Sequence, residues 1–204
     1  MWLEFLLTSF VVVISPGTGV IYTIGIGISR GVGASIAAAA GCTLGIVPHM
    51  TAAIFGLAAL LHTSSVAFQV LKFAGVAYLL YMAWSTLRER GALEVASNHD
   101  TKPLGRVALT GGLINILNPK LSIFFLAFLP QFIPSSADNA FLSMLMLGAV
   151  FMLMTFAVFL IYGFLSGLFR DVIVHSKTAS TVMQRVFATS FAGLGLKLAV
   201  SDRL

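Results

Sequence analysis

Charge is what this sequence has least of. Only 9% of its residues are Asp, Glu, Lys or Arg, whereas an ordinary soluble domain carries roughly a quarter. With 58% of residues hydrophobic, too little polar surface is left to coat a water-soluble globule, so the chain reads as an all-α integral membrane protein. Cysteine is nearly absent. Cys42 alone cannot close an intrachain disulfide, and no Cys/His cluster has metal-ligand spacing, so neither a metal nor a cofactor is expected. Carboxylates are few as well: Glu4, Glu89, Glu94, Asp100, Asp138, Asp171 and Asp202 all map to span ends or loops. The twelve Lys and Arg are spread over loops and helix ends rather than gathered in one basic domain, which argues against nucleic acid. The first segment lacks the basic start of a secretory signal and stays apolar beyond a signal core, so it reads as a retained helix.

Long apolar runs are what the chain does have. They cover about 2–28, 34–61, 66–87, 107–133, 141–169 and 186–200. A spanning helix takes about 20 apolar residues, so 204 residues hold six spans in one membrane domain and no separate catalytic domain. The last run is short and carries Lys197, so five spans plus a re-entrant segment is the alternative. Arg30 marks the first loop, Arg88, Arg90, Lys102 and Arg106 the third, and Arg170, Lys177 and Arg185 the fifth, while loops two and four have no Lys or Arg. Basic residues mark cytoplasmic loops. Both termini are therefore expected outside, with 88–106 a solvated cytoplasmic linker.

Two segments match. Ser15-Pro16-Gly17-Thr18 in the first run aligns with Asn118-Pro119-Lys120-Leu121 in the fourth, and Phe73-Ala74-Gly75 in the third recurs as Phe191-Ala192-Gly193 in the sixth. This predicts two three-helix repeats, 1–87 and 107–204, which must be inverted because three is odd. Inverted repeats with interrupted helices at matching positions point to a transporter with its site near the bilayer midplane. Each proline removes a backbone donor and frees the carbonyl four residues earlier, here Val12 and Asn115. Ser15 and Asn118 are preferred N-cap residues, and proline suits the first helical position. Both motifs thus read as half-helix starts whose unpaired N–H groups and positive dipole ends favour an anion, with Gly17 giving room for close approach. Lys120 falls in the first turn of the second half-helix, where that dipole repels a cation, and a charged lysine at this depth is expensive unless an anion meets it. A substrate carboxylate is the expected anion. Packing kinks with a snorkelling lysine are the plainer alternative.

The Ser-Pro-Gly element, Gly41 to Gly45, the segment Lys72-Phe73-Ala74-Gly75-Val76-Ala77-Tyr78-Leu79-Leu80-Tyr81, and Asn118-Pro119-Lys120 together resemble the LysE/RhtB family of amino-acid exporters. The resemblance covers nearly the whole chain. It implies export of amino acids or close derivatives from the bacterial cytoplasm across the inner membrane, driven by the proton gradient. Thr18 departs from the family's usual Ser-Pro-Gly-Pro.

The substrate-site candidates are Ser15, Pro16, Gly17, Thr18, Asn115, Asn118, Pro119 and Lys120, with Lys120 and His49 as candidates for proton coupling. His49, after Pro48, reads equally as a neutral histidine bonded to a freed carbonyl. Lys72 reads as snorkelling, Trp84 as an interfacial anchor, and Phe124, Phe125, Phe128 and Phe132 as core or lipid-facing rather than a substrate cage. Gly41 to Gly45 and Gly163 to Gly167 fit helix packing within the monomer, with a homodimer face as the alternative. No carboxylate is placed to hold a substrate ammonium at the midplane, which favours a neutral amino acid over lysine or arginine. A metal-ion exporter using Cys42, His49 and methionines is a rival reading, and an intramembrane enzyme a weaker one for want of a nucleophile with a nearby base.

Overall fold

The computed structural model describes residues 2–15, 17–61, 103–133 and 139–168, with scattered helical positions between 69 and 84 and between 185 and 200. Pro16, Lys72, Gly75, the linker over 88–102, Phe191 and Lys197 lie outside the described residues. The described elements are helical, with no strand among them: α1 (Trp2–Ile14), α2 (Thr18–Arg30), α3 (Val32–Leu44), α4 (Val47–Leu61), α5 (Leu104–Ile116), α6 (Pro119–Ile123) and α7 (Ala140–Leu168). A π turn at Phe124–Phe128 and a 3₁₀ turn at Leu129–Phe132 continue α6.

Two stretches, Val32–Gly56 with 25 residues and Ala140–Ser166 with 27, are long and apolar enough to cross a membrane singly. Two further pairs qualify only as bent spans: α1 with α2, bent by 54°, and α5 with α6 and its continuation, bent by 53°. The bends fall at the two proline motifs, and their angles agree within a degree.

Local chemistry places the ends. Gly31 closes α2 with φ +81°, the molecule's one positive φ among the described residues, and its N–H bonds the Gly27 carbonyl. Only glycine takes that backbone without strain. Pro103 caps α5, and the Arg106 N–H returns to its carbonyl at 2.9 Å. The helix therefore starts inside the stretch expected to be linker, because a polar first turn extends the apolar run. The second run is also less simple than it reads: a turn at Gly45 and Ile46 separates α3 from α4, and Pro48 sits in the first turn of α4, where a missing donor does no harm.

Core packing is densest where α3 meets α5, with α2 and α7 against α3 on its other sides. Gly41 and Gly45 make the first crossing feasible. A Cβ on Gly41 would overlap the Ala108 backbone, and one on Gly45 would lie 2.5 Å from the Gly112 carbonyl oxygen. These small residues thus serve packing within the chain. Gly163 of α7 does likewise against Ser35 of α3. The phenylalanines after α6 are core: Phe124, Phe125, Phe128 and Phe132 are buried, and Phe151 of α7 stacks on Phe124 at 4.4 Å and 24° and meets Phe125 edge-on at 5.3 Å.

Candidate functional site

Helix α1 stops with its last carbonyls unpaired, as every helix does, but these ends are buried. Two side chains from other helices answer them through three hydrogen bonds. The Lys120 ammonium donates to the Val12 carbonyl at 3.0 Å and to the Ser15 carbonyl at 2.9 Å, and the Tyr162 hydroxyl on α7 donates to the Ile14 carbonyl at 2.8 Å. The carbonyl expected to be freed in the first motif, Val12, is thus filled by the lysine of the second. The negative end of the α1 dipole favours a cation there. This corrects the expected electrostatics: Lys120, buried within the fold, does not remain at the positive start of its own helix but reaches across to the opposite pole of another.

The second break is answered the same way from α4. His49 Nε2 lies 2.9 Å from the freed Asn115 carbonyl. A carbonyl can only accept, so Nε2 carries the proton, and Nδ1 faces the Ser122 hydroxyl at 3.2 Å. His49 thus meets a freed carbonyl, the contact that one of its two readings expects.

The two helix starts differ. Asn118 caps α6 as expected, with Pro119 at the first helical position: its Oδ1 accepts the Lys120 N–H at 3.1 Å, and its carbonyl accepts the Leu121 N–H at 3.1 Å. No N–H is left over at that end. Ser15, by contrast, is not an N-cap. It directly follows α1, and both its N–H and its hydroxyl bond back to the Val11 carbonyl of that helix, at 3.1 and 2.6 Å. Gly17 holds the cap position of α2 without a side-chain bond, and the first turn closes only at Ile21 N–H to Gly17 carbonyl, 3.0 Å. The N–H groups of Thr18, Gly19 and Val20 precede that bond and have no acceptor among the described residues. Of the two starts expected to offer free amides, the second is closed, and the first leaves three without an acceptor among the described residues.

Asn115 joins these parts. Its Nδ2 donates to the Cys42 carbonyl at 2.8 Å, and its Oδ1 accepts Asn118 Nδ2 at 3.3 Å. Glycines admit the polar side chains: a Cβ on Gly19 would lie 2.5 Å from Asn115 Oδ1, and one on Gly17 would lie 3.0 Å from Lys120 Nζ. Between these groups is a cavity of about 10 Å³, room for roughly one water molecule. Gly17, Gly19, Asn115, Asn118 and Lys120 line its polar end.

A family of known transport proteins matches this chain: the LysE type translocator profile covers residues 10–202. The chain belongs to that family. Among the relatives of this translocator is an uncharacterized membrane protein of Vibrio cholerae, 30% identical over 201 residues, 98% of this chain and 97% of that one. The homoserine/homoserine lactone efflux protein of Salmonella typhimurium is 36% identical over 132 residues, 65% of this chain and 64% of the relative's length. The leucine efflux protein of Enterobacter sp. strain 638 is 30% identical over 160 residues, 74% of each chain. No solved structure matches.

The structure thus gathers Ser15, Gly17, Asn115, Asn118 and Lys120 of the translocator around one cavity or its rim, with Thr18 exposed beside it and His49 behind Asn115. Cys42 is fully buried, and no group of three or more His, Cys, Asp or Glu converges among the described residues. Nothing there favours metal cargo. Sequence reasoning missed Tyr162 and the α7 wall formed by Phe151, Thr155 and Phe159. Tyr162 and Thr155 are polar positions in an apolar run and could have been flagged on that ground; the two phenylalanines carried no such mark.

Proposed function

We propose that the protein is a secondary active exporter of small neutral amino acids or close derivatives, coupled to protons, in the bacterial cytoplasmic membrane. Six spans would form two inverted three-helix repeats, 1–87 and 107–204, joined by the cytoplasmic linker 88–106 with both termini outside. The repeats would rock about the paired breaks to expose the site to each face in turn. The equal bends of 54° and 53° support that arrangement, and the efflux relatives named for homoserine and leucine support the cargo.

The observation that carries the reading is Lys120 reaching from one break to the carbonyls of the other, beside a start of α2 that no side chain caps. An ammonium has three donors; two are engaged, which leaves one for the cavity. A substrate carboxylate there would meet that donor and the N–H groups of Thr18, Gly19 and Val20. Ser15 and Gly17 shape the opening, while Asn115, Asn118 and Pro119 hold the lysine's helix in place. No Asp or Glu lines the cavity, so a basic side chain would have no counter-charge. Lys120 and His49 are the groups assigned to proton exchange, since each is titratable and each holds a freed carbonyl of the opposite half.

Lys120→Ala tests the site. A charged hydrogen bond contributes about 1.5–3 kcal/mol, and about 1.4 kcal/mol is tenfold, so export should fall at least about tenfold while the protein still reaches the membrane. Undiminished amino-acid release from cells making the variant would refute the assignment.

A further inference from the structure

The cavity has two chemically different ends, and the second lies on α7. Its apolar lining includes Val13, Val20 and Leu121 beside the breaks and Phe151 and Phe159 on α7, with Thr155 the single polar side chain that α7 contributes. Phe151, Thr155 and Phe159 recur every four residues, so they stack along one face of α7. All three are buried. Phe151 is held by its stack on Phe124 and its edge contact with Phe125, making it a fixed floor. The Thr155 hydroxyl donates to the Phe151 carbonyl at 2.9 Å. Its proton is therefore engaged within the helix, and only acceptor lone pairs remain for the cavity.

Resting on the exporter reading above, we infer that this face of α7 reads the substrate side chain, and that Thr155 is the residue that sets the preference between hydroxylated and aliphatic side chains. With the carboxylate at the α2 start, the side chain of an α-amino acid has the α7 wall as its other boundary. That wall is apolar and uncharged, so it accepts short aliphatic side chains. A substrate hydroxyl gains one hydrogen bond by donating to Thr155 Oγ1. An aliphatic side chain leaves no donor of Thr155 stranded, because that donor is already bonded to Phe151. The wall thus tolerates both classes and favours the hydroxylated one modestly, by about fivefold for one net hydrogen bond of about 1 kcal/mol. Phe159, the other ring of the face, limits side-chain length.

The test is counterflow of radiolabelled L-homoserine, L-leucine and L-phenylalanine in proteoliposomes holding the full-length protein. Thr155→Val replaces the hydroxyl with a methyl of the same shape. It should lower the homoserine-to-leucine ratio about fivefold, with leucine counterflow kept, and Thr155→Ser should restore the ratio. Phe159→Ala should raise phenylalanine relative to leucine. An unchanged ratio in Thr155→Val with the wild type active overturns the assignment of Thr155, as does equal loss of all three amino acids in both Thr155 variants. A wild type that moves none of the three overturns the exporter reading itself.

Discussion

Lys120 and His49 have corresponding duties, and the difference between them sets what their loss should do. Each fills a carbonyl that a proline frees in another helix, Val12 for the lysine and Asn115 for the histidine. The Asn115 carbonyl has a second donor, however, in the Asn118 N–H at 3.0 Å. Losing His49 leaves that carbonyl half-satisfied rather than orphaned, which puts the cost at the low end of the range for a buried unpaired group, about 1 kcal/mol. His49→Ala should therefore lower thermal stability in detergent by about that amount. His49→Gln, whose amide can still donate, should recover most of it; equal stability of the two variants would show that the bond is unimportant. The proline motifs marked the freed carbonyls in advance, since the four-residue offset follows from helix geometry. Their partners could not be read, because Lys120 and Val12 lie in different spans and meet only through folding.

Among the helices, the α3 and α5 crossing is the closest and least forgiving. Its spacing is set by Gly41 and Gly45 against the backbone at Ala108 and Gly112, the small-residue packing that lets helices approach without a solvent-driven force. Gly41→Val would force the helices apart, and overpacking of this kind costs about 1–3 kcal/mol or more; the variant should unfold earlier on heating in detergent or fail to give a monodisperse peak. Gly25 is the control. A Cβ there meets nothing within 4 Å, so Gly25→Ala should be neutral or stabilising by up to about 1 kcal/mol. A Gly41→Val protein as stable as Gly25→Ala would contradict the observed crossing. Gly41 to Gly45 was legible as a packing motif, although its partner helix was not. The α7 wall was less legible still: the run is apolar on every side, so no periodicity separates the face that lines the cavity from the face that meets lipid.

For the protein in its membrane, the distribution of Lys and Arg assigns orientation independently of any contact. In a Cys42→Ser background, Leu3→Cys should react with a membrane-impermeant maleimide added to intact cells, whereas Asn98→Cys should react only after the cells are opened. The reverse pattern would invert the topology and, with it, the face on which the first break opens. Each bend is also held by a side chain from another helix, Lys120 of α6 for the first and His49 of α4 for the second, so neither can straighten without breaking those bonds.

Membrane residence, the apolar runs, the two proline breaks and the family were all present in the one-dimensional pattern, because each follows from local composition or from spacing along a single helix. The pairing of Lys120 with the end of α1, the uncapped start of α2 against the capped start of α6, and the α7 wall of the cavity were not. Those depend on which helix ends come within hydrogen-bonding reach of one another, and distances between separate spans are set by packing in three dimensions.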